Sequence, residues 1–269
     1  MSNARTRRTS ISDLAAMKSR GEKWSVITSY EAMTAAIFDE AGIPVLLVGD
    51  SAGNNFLGEE NTIPVTLEEM IMLSRAVVRG SKRAMVVADL PFGSYEKSPK
   101  QALESATRLF KEAKVHAVKL EGGKKVVPQI KKLIAAGIPV MGHLGLTPQS
   151  VYALGGYKVQ GRGDGAARIM KDAKALQSAG VFSIVLEMIP AELAAEISTA
   201  LDIPVIGIGA GPHCDAQVIV WTDLMGLTVS APKFAKAYRN LRSEISNGVK
   251  EWMDDVASGT FPAEEQTFH

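Results

Sequence analysis

The chain has 269 residues, of which 46% are hydrophobic and 22% charged, and a formal net charge of +1. That length suits one large α/β barrel or two small domains, and the near-neutral balance gives neither nucleic acid nor an acidic membrane surface a reason to bind. A single cysteine, Cys214, cannot staple the chain internally, and no run of about 18 apolar residues is present to span a membrane; a reduced, cytoplasmic setting is the simplest expectation.

The opening MSNARTRRTS carries Arg5, Arg7 and Arg8 without the apolar stretch of a secretory signal, and its Arg and Ser content leaves a transit peptide as the alternative. Residues 1–22 are expected to form a tail and a short helix, and residues 23–269 one domain without an internal linker. From there apolar runs and helical patterns alternate. Strands are expected at residues 25–30, 45–51, 84–90, 117–121, 140–144, 183–187 and 205–208, with an eighth at 224–228. Helices are expected at 31–41, 67–79, 99–113, 126–136, 166–179 and 191–201. Three strands share one signature, a helix stop and then Ile-Pro-Val opening an apolar run, at 41–48, 136–141 and 202–208. Proline is tolerated at the first residue of a strand, and Gly42, Gly137 and Gly180 read as helix C-caps. Thr66 with Glu69 makes a capping box, and Ser98 before Pro99 makes an N-cap. The apolar runs are continuous rather than alternating, as in strands buried on both faces.

Regular alternation implies right-handed crossovers and a parallel sheet. Eight units in a chain of this length point to a closed (β/α)8 TIM barrel, with a doubly wound open sheet as the alternative. A last helical pattern covers residues 232–256, where Phe234, Tyr238, Leu241, Ile245, Val249, Trp252 and Val256 make one apolar stripe. It reads first as packing on the barrel and second as a subunit contact.

In such barrels the C-terminal ends of the strands carry the site, and here ionisable groups close nearly every apolar run. VGDS ends in Asp50 and Ser51, ADLP holds Asp89, KLEGG holds Lys119 and Glu121, GHLG holds His143 and LEMIP holds Glu187. Buried strand ends do not hold unpaired charges without a reason. Asp50, Asp89 and Glu121 come from neighbouring strands about 4.8 Å apart, so they are expected to converge, and converging carboxylates repel unless a cation joins them. Hard oxygen donors completed by water and substrate suit Mg²⁺; the plainer alternative is separate pairing with lysine or arginine. Lys119 and Glu121, two apart on a strand, face one side. The lysine either pairs with Glu121 or neutralises an anionic substrate. Glu187 lies between apolar stretches at 184–186 and 188–189, so desolvation is expected to suit it to proton transfer, structural pairing being the alternative. His143 reads as a hydrogen-bonding support, since no second histidine stands at ligand spacing; His116 and His213 are given no role. Residues 155–164, GGYKVQGRGD, read as a mobile lid displaying Tyr157, Lys158 and Arg162, or as a plain connection. GIGAG at 207–211 reads as a phosphate cradle or as tight turns.

The motifs VGDSAGNNFLG, VVADLPFGSY, VKLEGG, GHLGLTPQS, LGGYKVQGRG, LEMIPAELA and IPVIGIGAG, in this order, with the ending FPAEEQTFH, closely resemble the ketopantoate hydroxymethyltransferase family from residue 27 to residue 269. The resemblance implies a metal-dependent barrel forming large homo-oligomers, typically decamers. It implies transfer of a one-carbon unit from 5,10-methylenetetrahydrofolate to 3-methyl-2-oxobutanoate, giving 2-dehydropantoate on the pantothenate route. Carried over residue by residue, Asp50, Asp89 and Glu121 match the family's Mg²⁺ site. Asp50, Ser51, Asp89 and Lys119 match its keto-acid contacts, with His143 beside them as support, and Glu187 matches its proton acceptor. NNFLGEEN and VSAPKFAKAY depart from many members and bear on the folate contacts. Two rivals stand beside this reading. One is a barrel of the isocitrate lyase and phosphoenolpyruvate mutase group, whose lyases a catalytic cysteine motif would favour; GPHCDA around Cys214 does not look like one. The other is a non-catalytic keto-acid binder, which has no need of this residue set.

Overall fold

Three strands begin directly after a proline, and the hydrogen bonding explains why that is tolerated. Pro44, Pro139 and Pro204 have no N–H to give, but their carbonyls accept from Met85, Val118 and Ile184 of neighbouring strands at 2.9, 3.1 and 3.1 Å. The helices before the strands stop at glycines in left-handed conformations, Gly42 (φ +89°), Gly137 (φ +82°) and Gly180 (φ +100°), as the sequence predicts. At the other ends, Thr66 and Glu69 form the expected capping box, and Ser98 Oγ accepts from the Gln101 N–H with Pro99 behind it.

The structure is a computed structural model and describes residues 7–269. Arg5, part of the basic start for which a transit peptide is only the alternative, lies outside the described residues. The strands are β1 (Trp24–Thr28), β2 (Val45–Val48), β3 (Met85–Asp89), β4 (Ala117–Glu121), β5 (Val140–Gly145), β6 (Ser183–Glu187), β7 (Val205–Ile208) and β8 (Ala216–Ile219). They pair in parallel in chain order, and β8 returns to β1 to close the barrel. The open doubly wound sheet is thereby excluded. The helices α1 (Ile11–Ser19), α2 (Ala32–Glu40), α3 (Leu67–Gly80), α4 (Pro99–Arg108), α5 (Val127–Ala135), α6 (Asp164–Ala179) and α7 (Ala191–Ala200) lie between and before the strands.

Three expectations are corrected. The eighth strand is Ala216–Ile219, not 224–228; it carries Gln217 exposed between buried neighbours, so it lacks the continuous apolar run that marks the others. The expected helix at 99–113 divides into α4 and a π-helical turn, Leu109–Ala113, which ends at Lys114 in a left-handed conformation (φ +62°). The helix expected over 232–256 starts only at Leu241, so Phe234 and Tyr238 are not on it.

The barrel interior is filled by Val26, Val45, Leu47, Met85, Val87, Ala117, Met141, Val185, Ile206, Ala216 and Val218, and α1 adds Leu14 and Met17 to the same cluster. Side chains two apart on a strand share a face. Beyond Val87 on that face comes Asp89, beyond Ala117 come Lys119 and Glu121, beyond Met141 comes His143, and beyond Val185 comes Glu187. The apolar core thus gives way to a charged layer at the C-terminal ends of the strands.

The chain divides into two compact units, Met1–Val220 and Trp221–His269, a division absent from the sequence reading. In the second unit α8 (Trp221–Leu224) is rejoined by the chain through bonds from the Tyr238 N–H to the Leu224 carbonyl (2.8 Å) and from the Leu241 N–H to the Met225 carbonyl (2.9 Å). The long helix α9 (Leu241–Ser258) follows, capped by Asn240 and ended by Gly259. None of its residues is buried. Among the described residues no helix is long and apolar enough to cross a membrane.

Candidate active site

The turn after β2 delivers the first acid. A Cβ on Gly49 would come within 2.8 Å of Ser51 Oγ and 3.5 Å of Asp89 Oδ2, so glycine there lets Asp50 and Ser51 fold in beside β3. The Asp50 N–H donates to Asp89 Oδ2 at 3.0 Å. Asp89 and Lys119 face each other across β3 and β4, and Lys119 Nζ meets Asp89 Oδ1 at 2.9 Å. Glu121 and His143 face each other across β4 and β5, with His143 Nδ1 3.3 Å from Glu121 Oε1. On its other side His143 Nε2 lies 3.2 Å from Glu187 Oε2. Gly145 pairs with Glu187 across β5 and β6; its φ is +96°, and a Cβ there would stand 2.2 Å from the Glu187 carbonyl. A continuous run of charge, Asp50–Asp89–Lys119–His143–Glu187, therefore crosses the barrel mouth from β2 to β6. Every sequence-predicted site residue lies on or beside it.

The electrostatics follow from burial. Asp50, Asp89, Lys119, Glu121 and His143 are each 5% exposed or less. Burial, then Asp89 and Glu121, push the Asp50 carboxyl well above its ordinary range, with Lys119 and a Gln149 hydrogen bond opposing. Burial alone would lower Lys119, but Asp89, Glu121 and Asp50 outweigh it and hold the ammonium charged. Burial and the Lys119 charge likewise oppose protonation of His143, yet its contacts with Glu121 and Glu187 raise it to about 9. These two carboxylates thus favour the protonated ring. Its Nδ1 also lies 3.4 Å from Lys119 Nζ, so this ring nitrogen stands between the ammonium and the Glu121 carboxylate. Glu187, whose apolar flanks suggested full desolvation, keeps 16% of its side chain exposed.

Three participants escaped the sequence reading although two sit inside the quoted motifs. Gln149, in GHLGLTPQS, donates from Nε2 to Asp50 Oδ2 at 2.8 Å and from its backbone N–H to Glu121 Oε2 at 3.0 Å. Tyr95, in VVADLPFGSY, donates to Gln149 Oε1 at 2.6 Å. Tyr30 lies 2.9 Å from Ser51 Oγ through its hydroxyl, and burial raises its phenol, so it stays neutral. Neutral residues give no charge signal, and nothing in their spacing marks them.

The loop of residues 155–164 is tied to the site where the Gln160 N–H donates to the Met188 carbonyl at 2.9 Å, next to Glu187. Burial, then Glu187, Asp50 and Glu121, raise the half-exposed Tyr157 phenol, so this side chain lies within reach of the site's charge. Two of the three glycines at 207–211 are accounted for by packing: a Cβ on Gly207 would meet Cys214 Sγ at 2.9 Å, and one on Gly211 would meet Ala191 Cβ at 2.5 Å; Gly209 holds a left-handed conformation (φ +61°).

Among the described residues no three His, Cys, Asp or Glu side chains form a ready metal cage. The donor set still fits Mg²⁺, which takes one or two carboxylates and completes its shell with water and substrate oxygens. Asp50 and Asp89 are adjacent, buried and mutually repelling, which is the condition a cation relieves.

Among known families, the one described as Ketopantoate hydroxymethyltransferase matches residues 8–264. Relatives named 3-methyl-2-oxobutanoate hydroxymethyltransferase include one from Streptomyces avermitilis, 61% identical over 266 residues, covering 98% of this chain and 92% of the relative. Another, from Thermobifida fusca, is 57% identical over 263 residues, covering 97% and 94%. Among solved structures, 2,3-dimethylmalate lyase of the PEP mutase/isocitrate lyase superfamily aligns with a TM-score of 0.60 at 14% identity, covering 97% of this chain and 92% of that one. Phosphonopyruvate hydrolase in complex with oxalate and Mg++ aligns with a TM-score of 0.62 at 11% identity, covering 96% and 93%. At these identities the two structures attest the barrel fold alone.

Proposed function

The chain belongs to the ketopantoate hydroxymethyltransferase family, and from that premise we propose that it moves a hydroxymethyl group from 5,10-methylenetetrahydrofolate to 3-methyl-2-oxobutanoate, giving 2-dehydropantoate for pantothenate biosynthesis. It is a transferase by its family. The observation that carries the finer reading is the buried run from Asp50 to Glu187, with paired carboxylates and a fixed ammonium at one end and a partly exposed carboxylate at the other. When bound, Mg²⁺ would be held by Asp50, Asp89 and Glu121, and it would supply Lewis-acid stabilisation of the negative charge that builds on the keto oxygen.

The chain's own groups do the rest. Lys119 offsets the negative charge of the 2-oxo acid from a site closed to water. Ser51, backed by the Tyr30 hydroxyl, offers a neutral donor beside it. Glu187 takes the C3 proton as general base, and the C–H electron pair passes through the C2–C3 bond to the keto oxygen. His143, fixed between Glu121 and Glu187, orients that base. Water adds to the methylene carbon, both of its C–N bonds break, and the two water hydrogens end on the folate nitrogens. C3 then bonds to the carbonyl carbon so released, and the proton taken by Glu187 passes to the new hydroxyl oxygen. The loop of residues 155–164, tied beside Glu187, serves as the lid. The reading extends to a homodecamer working in the cytoplasm.

A thiol-based lyase reaction finds no support here. Cys214 is 1% exposed and burial raises its thiol, the opposite of an activated nucleophile. With both substrates and Mg²⁺, the purified protein is expected to form 2-dehydropantoate, read by mass spectrometry, and a chelator to stop it. Both substrates left unconsumed would overturn the reading.

A further inference from the structure

We propose that Gln149 is a positioning residue for the cation site, holding Asp50 in place through a neutral donor so that its charge stays available to the metal; the inference rests on the metal reading above. Gln149 lies in the 3-10 turn Pro148–Ser150 after β5 and is 6% exposed. Its Nε2 donates to Asp50 Oδ2 at 2.8 Å and to the Leu90 carbonyl at 3.0 Å. Its backbone N–H donates to Glu121 Oε2 at 3.0 Å. One residue from the β5 loop thus grips carboxylates delivered by β2 and β4. The amide cannot turn end for end, because the Leu90 carbonyl only accepts and must face Nε2, while the Tyr95 hydroxyl, itself buried, donates to Oε1 at 2.6 Å.

The three acids differ in what meets them. Asp89 faces the Lys119 ammonium at 2.9 Å, and Glu121 faces the His143 ring at 3.3 Å. Asp50 has Gln149 as its described side-chain partner, and that partner is neutral. A neutral donor fixes a ligand's geometry without neutralising it, and losing such a supporting partner typically costs about 10- to 100-fold in metal affinity.

The test is a Mn²⁺ titration of the chelator-treated full chain by electron paramagnetic resonance, with neither keto acid nor folate present. Gln149→Met keeps the side chain's size, and the adjoining cavity of about 330 Å³ gives it room. It removes all three side-chain hydrogen bonds, to Asp50, to the Leu90 carbonyl and from Tyr95, but leaves the backbone bond to Glu121. Mn²⁺ affinity is expected to fall about 10- to 100-fold. Tyr95→Phe, which loses the hydroxyl that donates to the amide oxygen and also meets the Glu121 backbone at 3.2 and 3.3 Å, is expected to weaken it less. In an Asp50→Asn background, Gln149→Met is expected to add no further loss, which a purely structural role would not predict. Unchanged affinity in folded Gln149→Met overturns the inference while leaving the metal reading standing. A wild-type chain that binds no Mn²⁺ overturns both. If Gln149→Met does not fold, Tyr95→Phe decides: unchanged affinity, or a loss that persists in the Asp50→Asn background, overturns the proposal, and a loss that vanishes in that background supports it.

Discussion

Glu187 and His143 divide the labour at the far end of the charged run. The histidine, 3% exposed, is pinned between two carboxylates, and the glutamate, 16% exposed, still reaches the barrel mouth. Glu187→Gln keeps the size of the side chain and an oxygen to face His143, so keto-acid affinity measured by calorimetry is expected to stay within about 3-fold. Turnover is expected to fall by about 10²- to 10⁴-fold, the usual contribution of a positioned base. A variant with wild-type turnover would remove Glu187 as the proton acceptor. At this scale the charged residues were legible because charge at the end of a buried strand demands an explanation. Gln149, Tyr95 and Tyr30 were not, because a neutral side chain announces nothing until its partners are known.

Among the elements, β3 and β4 are stitched where they start by His116, which was given no role from sequence. Its backbone N–H donates to the Val86 carbonyl at 2.9 Å, and the Val86 N–H donates to its Nδ1 at 3.0 Å. Burial, with the Arg8 charge added, lowers its pKa from 6.5 to about 4. The unfolded chain therefore binds this proton more readily than the folded one, and stability falls as pH drops from 6.5 through 4. The melting temperature is expected to decline over that window, and less steeply in His116→Gln, whose amide oxygen still accepts from Val86. Equal slopes in the two proteins would contradict the assignment. The strands opened by Ile-Pro-Val were legible because proline and glycine impose fixed backbone geometry at their borders. β8 was not, since Gln217 breaks its apolar run; that side chain turns outward and donates to the Gly211 carbonyl at 2.9 Å.

For the whole molecule, closure of the barrel was readable from strict alternation, which permits few topologies. The separate unit from Trp221 onward was not, because its amphipathic stripe looks the same whether it packs within the chain or against another copy. Ile245, Val249, Trp252 and Val256 on α9 are each 48% exposed or more, an apolar face of the kind that subunit contacts cover. In the proposed homo-oligomer, Trp252→Glu together with Val249→Glu is therefore expected to lower the mass read by light scattering, and an unchanged mass would exclude this face from assembly. The central claim, that the run from Asp50 to Glu187 makes an enolate from a 2-oxo acid, is tested most directly by following the C3 proton of 3-methyl-2-oxobutanoate by NMR in D₂O, with Mg²⁺ and no folate. The account predicts loss of that signal faster than in the protein-free control, abolished by chelator and by Glu187→Gln. A signal that persists both without and with 5,10-methylenetetrahydrofolate would contradict it.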